Sequence, residues 1–124
     1  MVAKKVLEFS CETPEYAGSE MAIYAVKGNL YGSSEAYRFQ DDVRQKIAGG
    51  TKKIVINFAE AEKIDSCGIG ILASVMWSST QAGGGMVLVA VPEQVEKLLA
   101  MVMLTDRIDR ADSCEEAIAK LAPL

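Results

Sequence analysis

Histidine is absent from the 124-residue chain. Its absence excludes a Ser-His-Asp triad, a Cys-His pair, an imidazole general base and every histidine-containing zinc site within the chain. The three cysteines, Cys11, Cys67 and Cys114, are far apart and form no Cys-x-x-Cys motif, which is typical of reduced thiols. Any chemistry must therefore use groups other than imidazole.

Long apolar segments and an excess of positive charge are also absent. The longest weakly polar run, 68–77, holds ten residues, whereas a membrane-spanning helix needs about 20. At the start of the chain Glu8 interrupts the apolar residues before a signal-peptide core develops. Lys and Arg number 13 against 17 Asp and Glu, and this balance disfavours nucleic-acid binding. We expect a cytoplasmic protein, with no membrane insertion, that binds a protein or a small molecule.

The length and composition predict one folded domain over residues 1–124. Half of the residues are hydrophobic and 24% are charged, which is typical of a globular protein. No internal repeat, low-complexity tract or long Pro/Gly-rich linker divides the chain. A chain of this size buries about two thirds of its surface on folding, which suffices for one two-layer core.

Strand-like and helix-like hydrophobic patterns alternate along the sequence. We predict a strand that stops at Gly28, a loop over 59–64, and further strands and helices. The strands are expected at 21–26, 54–58 and 86–91, with short ones at 6–9 and around Ile108; the helices are expected to start at Ser33 or Ser34, Asp65-Ser66, Pro92 and Ser113. This order predicts an α/β domain with a mostly parallel or mixed sheet of four to five strands and about four helices.

The segment Asp65-Ser66-Cys67-Gly68-Ile69-Gly70 is the main candidate site, because a hydroxyl lies where a loop turns into a helix. Gly68-x-Gly70-x-x-Ala73 fits a dinucleotide fingerprint formally, but it lies too far from the preceding strand and beside an anionic Asp65. If Ser66 or Cys67 were a catalytic nucleophile, it would need a general base, and the chain has no histidine to act as one. Ser66 could instead be phosphorylated by another enzyme. Residue types alone favour a simple helix cap at Asp65 or Ser66.

Other side chains are expected to have ordinary structural roles. Met76, Met101 and Met103 form no tract, and methionines on helices usually fill core space. Trp77 directly follows a residue of the apolar stripe, so we expect it at the flank of its helix. If it were exposed, it would be a natural anchor for a partner.

The candidate segment resembles the Asp-Ser-(Ser/Thr)-Gly-(aliphatic)-Gly signature of STAS domains of the bacterial anti-sigma factor antagonist type, the SpoIIAA and RsbV group. The resemblance covers about residues 5–122. It extends to Gly28-Asn29-Leu30, to the strand 54–58, to the glycine-rich break before 86–89, and to a downstream helix that ends before Leu104 and Ile108.

The resemblance implies a SpoIIAA-like fold and a switch protein that acts on transcription. Together with the lack of catalytic residues, it predicts a non-enzymatic protein that has no metal site, no cofactor and no catalytic residue of its own. The unphosphorylated form would sequester an anti-sigma factor that is also a serine kinase with a histidine-kinase-like, ATP-binding fold, and so free a sigma factor. That kinase would phosphorylate Ser66, and a PP2C-type phosphatase would reverse the modification. The same resemblance implies that the partner-binding residues are Asn29, Tyr31, Asp65, Ser66, Cys67, Gly68 and Ile69.

Two positions depart from the family pattern. Tyr31 stands where members usually carry an acidic residue near the acceptor serine, and Cys67 replaces a more common hydroxyl residue. We expect Cys67 to be a small buried side chain rather than a redox-sensitive thiol. Tyr31 motivates an alternative function, in which an unphosphorylated STAS domain serves as a scaffold in a stress-signalling assembly or as a subunit of a lipid ABC transporter.

Overall fold

One five-stranded sheet organises the fold in a computed structural model that describes residues 7–13 and 20–121. The chain order is β1 (Glu8–Glu12), β2 (Met21–Leu30), α1 (Ser34–Ala48), β3 (Lys53–Ile64), α2 (Ser66–Gln81), β4 (Gly85–Val89), α3 (Glu93–Met101), β5 (Asp109–Ala111) and α4 (Cys114–Leu121). The strands are ordered β1-β2-β3-β4-β5, with β1 antiparallel to β2 and the others parallel. The predicted α/β class is confirmed, with five strands and four helices.

The order of the parallel strands determines where the helices pack. Each crossover moves one strand further across the sheet in the same direction, so right-handed connections place α1, α2 and α3 on one face. The residues of the larger core, which include Tyr24, Phe39, Ile56, Leu72 and Leu99, lie between these helices and the sheet. The smaller core on the opposite face is formed by α4 and by alternate residues of the central strands.

An aromatic cluster attaches α1 to the edge of the sheet. The ring centroids of Phe9 and Phe39 are 5.4 Å apart, and so are those of Tyr24 and Phe39, both pairs in edge-to-face geometry. The buried phenol of Tyr24 donates a hydrogen bond of 2.6 Å to the Asp42 carboxylate. The cluster therefore joins β1, β2 and α1 with both apolar and polar contacts.

The second and third strands are longer than the sequence pattern predicts. The expected loop 59–64 is wrong, because these residues continue β3 and pair with the end of β2 from Lys27↔Glu60 to Leu30↔Ile64. The expected stop at Gly28 is also wrong, since Gly28 stays in β2 with a φ of +89°. Two shifts of register interrupt this pairing. The shifts disturb the alternation of side chains and so hide the strand in the sequence.

Smaller differences concern element ends. β4 ends at Val89 instead of Val91, and the next residue, Ala90, has a φ of +54°. Pro92 is the N-cap of α3 rather than a residue of its first turn. The strand expected around Ile108 lies at Asp109–Ala111. The edge strand expected at 6–9 lies at Glu8–Glu12, and Val6 is outside the described residues. Among the helices of the described part, none has the length and apolar character needed to cross a membrane.

Candidate functional site

Asp65 joins the turn between β3 and α2 to the loop between β2 and α1, and these two segments form the candidate site. Its Oδ1 accepts a hydrogen bond of 2.9 Å from the Gly68 amide, which makes Asp65 the N-cap of α2. Its Oδ2 lies 3.5 Å from the amide nitrogen of Gly32, in the loop between β2 and α1. The Asp65 amide in turn lies 3.4 Å from the Leu30 carbonyl oxygen. Asp65 is thus the helix cap that its residue type favours, and it also anchors the loop after β2.

Gly68 lets the first turn of α2 lie directly against the end of β2. A Cβ atom at this position would lie 2.1 Å from the Leu30 carbonyl oxygen and 2.5 Å from Cγ1 of Ile64. Packing between the protein's own elements therefore requires glycine at this position. Ile69 is buried in the larger core. Gly68 and Ile69 position the helix start, and they present little surface to a partner.

Ser66 and Cys67 form the exposed part of this first turn. Both residues are exposed to solvent, with Ser66 as the first residue of α2. The expected burial of Cys67 is wrong, since the side chain lies outside the core and covers Gly32 instead. A Cβ on Gly32 would meet the Cys67 Cβ at 2.9 Å. The loop after β2 and the first turn of α2 are thus in close contact, and Ser66 is exposed in that turn.

The remaining predicted residues lie on the neighbouring strand end. Asn29 is half-buried in β2 opposite Lys63, and Tyr31 is exposed one residue beyond the strand. The structure also adds Gln94 of α3, whose Oε1 accepts a hydrogen bond of 3.2 Å from the Ile64 amide. No sequence motif indicates this contact, because it joins residues 30 positions apart. The ends of β2 and β3 and the starts of α2 and α3 therefore meet at one edge.

The charge distribution of α2 is unusual for this protein. The helix contains no Asp, Glu, Lys or Arg from Ser66 to Gln81. Within 7–13 and 20–121, no group of three or more Cys, Asp and Glu residues could hold a metal ion. The carboxylate nearest in sequence, Asp65, is already bound to backbone amides. The arrangement places an exposed serine at the start of a helix that contains no charged residue.

Several large apolar side chains are exposed: Met101 and Met103, which were expected in the core, and Trp77, which was expected at the flank of its helix. Trp77 on α2 is 63% exposed, and Met101 and Met103 at the end of α3 are 77% and 84% exposed. Tyr37 on α1 is also exposed, and sequence analysis missed it because it does not belong to the apolar stripe of that helix. The expectation of a structural role in the core is wrong for Met101 and Met103, whereas Met76 does pack against the larger core.

The candidate site has an exposed surface that includes Tyr31, Gly32, Ser66 and Cys67. A cavity of about 300 Å³ lies elsewhere, among β1, β2 and β3, and includes Ser10, Lys27 and Asn57 but no residue of the turn between β3 and α2. Small-molecule sites are concave and enclose most of their ligand. An exposed helix start between two loops is better suited to a protein partner.

Comparison with known proteins gives the same family as the sequence motif. The family model described as "STAS domain" matches residues 12–117. A curated relative from Thermotoga maritima, provisionally named an anti-sigma factor antagonist, is 29% identical over 72 residues. This match covers 58% of the chain and 64% of the relative, so it spans slightly less than two thirds of that protein.

Solved structures show the same fold. The crystal structure of an anti-sigma factor antagonist from Thermotoga maritima, also provisionally named, has a TM-score of 0.80 at 24% identity and covers 91% of this chain and 93% of its own. The phosphorylated form of SpoIIAA, a cell-fate determinant from Bacillus, has a TM-score of 0.74 at 21% identity and covers 93% of this chain and 100% of its own. With a family model that matches most of its length, the chain belongs to the STAS domain family.

Proposed function

We propose that this STAS domain is an anti-sigma factor antagonist that is switched by phosphorylation of Ser66. The observation that carries the proposal is that Ser66 is exposed on the first turn of a helix that contains no charged residue. Asp65 joins this turn to the loop after β2. In the unphosphorylated form this surface binds an anti-sigma factor that is also a serine kinase, and the sigma factor is released in the cytoplasm.

The electrostatics of the first turn explain how one modification can control binding without unfolding the domain. A phosphate adds a charge of about −1.5 to −2, and the N-terminus of a helix stabilises such charge locally. The protein already carries a net charge of −4, and Asp65 is the adjacent residue. Covering an unpaired dianion with a partner removes its hydration, which is costly. Phosphorylation therefore weakens docking while the fold is kept.

The known neighbours support this proposal through their own properties. SpoIIAA has been solved in both an unphosphorylated and a phosphorylated form, and each superposes on this chain with a TM-score above 0.7. By analogy, the kinase partner contributes ATP through a histidine-kinase-like fold, and a PP2C-type phosphatase removes the phosphate. The chain itself contributes the acceptor Ser66 and the contact residues Asn29, Tyr31, Asp65 and Cys67, while Gly68 and Ile69 hold the turn.

The experiment begins with capture of the kinase from the source cells by the wild-type chain, followed by its purification. The purified kinase is incubated with ATP and the chain, and the product is analysed by intact mass and peptide mapping. We expect one phosphoryl group on Ser66 and none on Ser66→Ala. A PP2C-type phosphatase should remove it. Failure to modify Ser66 while binding persists would contradict the phosphorylation switch, and absence of any anti-sigma kinase partner would contradict the whole proposal.

A second candidate function rests on Tyr31, which occupies the position of the family's acidic residue beside the acceptor. An unphosphorylated STAS domain could serve as a scaffold in a stress-signalling assembly or as a subunit of a lipid ABC transporter. The same capture experiment separates the two functions. An ABC-type ATPase or a large homo-oligomer would support the scaffold, whereas a histidine-kinase-like ATPase supports the antagonist.

A further inference from the structure

The outer face of α2 differs in composition from the other helices. Its exposed residues are polar but uncharged or apolar: Ser66, Cys67, Gly70, Trp77, Thr80 and Gln81. In contrast, α1 exposes Arg38 and Asp41, α3 exposes Glu93 and Lys97, and α4 exposes Glu115, Glu116 and Lys120. The centres of protein interfaces are depleted in charge and enriched in Trp, Tyr and Met. By this criterion α2 has the composition of an interface.

Trp77 lies on the same side of α2 as Ser66. Eleven residues separate them, which at about 100° per residue is three turns plus about 20°, and the rise of the helix places them about 16 Å apart along its axis. Trp77 is 63% exposed and is the single tryptophan of the chain. A large exposed indole therefore stands three turns from the candidate phosphorylation site on the same stripe.

Gly70 lies between these two residues on the same side of α2, and it has no side chain that would project from this surface. A Cβ on Gly70 would meet no heavy atom within 4 Å, and its φ is not in the positive region, so the fold does not require glycine there. An exposed glycine inside a helix destabilises it by about 1 kcal/mol relative to alanine. A glycine that the fold does not need is understandable where another molecule approaches the helix closely.

The neighbouring helices add apolar groups on both flanks. In the order of the sheet, α2 lies between α1 and α3, and it contacts both. Tyr37 is exposed on α1, and Met101 is exposed at the end of α3. Each of the two neighbouring helices thus exposes one large apolar side chain in addition to its charged ones.

A protein interface of ordinary size is large enough to include both Ser66 and Trp77. A standard interface buries about 800 Å² on each partner, which corresponds to a disc about 16 Å in radius. A partner that covers Ser66 therefore reaches about as far as Trp77. Since α2 contains no charged residue from Ser66 to Gln81, the uncharged centre of such an interface extends along α2.

We propose that the anti-sigma factor that covers Ser66 extends along α2 and binds Trp77 as an anchor in an apolar pocket. The inference rests on the proposed function and adds the direction of the footprint and its second contact. Gly70 is where the partner approaches the helix most closely. Ser66 controls whether the interface forms, and Trp77 supplies a large share of its affinity.

The test measures the affinity of the purified anti-sigma factor, obtained in the capture experiment, for four forms of the full chain. We expect Trp77→Ala to weaken binding at least tenfold, as is typical of an anchor residue. Gly70→Lys should weaken it similarly, although lysine favours the helix more than glycine does. Ala119→Lys makes a comparable change at an exposed position of α4, on the opposite face of the sheet, and should bind within twofold of wild type.

A second measurement keeps the test independent of folding. Because Trp77 is the single tryptophan, 5-fluorotryptophan gives one ¹⁹F resonance, which should shift when unlabelled anti-sigma factor is added and should stay unchanged with the Ser66→Asp variant. Trp77→Ala with wild-type affinity, or a resonance that does not move while Ser66-dependent binding persists, would overturn the inference and leave the proposed function intact. Loss of a dimer on Trp77→Ala in sedimentation of the chain alone would also overturn it, since a second copy would then cover this face.

Discussion

At the scale of the residue, Tyr24 combines burial with a charged hydrogen-bond partner. Its side chain is fully buried, and its hydroxyl donates to Asp42 at 2.6 Å. Lys46 lies 3.8 Å from the same carboxylate. Burial, and then the hydrogen bond to Asp42, raise the pKa of Tyr24 well above its ordinary value. The protonated phenol is therefore favoured in the folded state.

This pKa shift predicts a loss of stability in alkali. Because the folded pKa is raised, the contribution of Tyr24 is complete below pH 10 and decreases above it by about 1.4 kcal/mol per pH unit. Tyr24→Phe should lower the free energy of unfolding by about 1–3 kcal/mol at pH 8. In this variant the free energy of unfolding should also fall less between pH 10 and 11 than it does in the wild type. Urea unfolding at each pH measures both effects. Tyr37→Phe, which removes an exposed phenol, is the control; an unchanged decline in Tyr24→Phe would contradict the assignment.

Single residues were predictable where a local rule decides their role. The cap at Asp65 follows from residue type and position, and the structure adds only its second bond to Gly32. Cys67, Met101 and Met103 were not predictable, because residue type favours the core for them; Cys67 and Met101 lie on helix positions that face away from the core, and Met103 lies beyond the end of α3. Which face of a short helix is covered depends on neighbouring elements that the local sequence does not specify.

At the scale of the element, the first five residues of α2 contain two glycines, and packing requires only the first of them. Gly68 lies against the Leu30 carbonyl oxygen, where a Cβ would be only 2.1 Å away. Gly70, two residues later, has open space around its Cα. In this Gly-x-Gly sequence, packing against β2 therefore requires glycine at position 68 but not at position 70.

The two glycines predict opposite effects of the same substitution. Gly68→Ala should destabilise the fold by about 1–3 kcal/mol, because the helix start must move away from β2. Gly70→Ala should stabilise it by about 0.5–1 kcal/mol through the greater helix propensity of alanine. Chemical denaturation followed by far-UV circular dichroism compares the two variants with wild type. Equal effects of the two substitutions would show that Gly68 is not held against β2.

Elements were predictable where the hydrophobic period is regular. The apolar stripe of α1 and the continuous apolar runs of β3 and β4 indicate those elements correctly. The second half of β3 was predicted as a loop because two register shifts break its alternation and because polar side chains are exposed there. This half matters for function, since its pairing with β2 carries Ile64 and Asp65 to the loop after Leu30.

At the scale of the whole molecule, strand order determines which surface is available to a partner. The steady progression from β2 to β5 places α1, α2 and α3 side by side, with α2 in the middle. The start of α2 therefore lies between the loop after β2 and the start of α3. The family resemblance predicts this topology, whereas hydrophobic periodicity alone does not assign the helices to faces.

The most direct test of the central claim is titration of the purified anti-sigma factor with the chain before and after enzymatic phosphorylation of Ser66. A protein partner covers the Ser66 surface in our account, so phosphorylation should weaken binding at least tenfold without changing the far-UV circular dichroism spectrum. Ser66→Ala should bind like wild type, and Ser66→Asp should bind more weakly. Equal affinity of the phosphorylated and unphosphorylated chains would contradict the account.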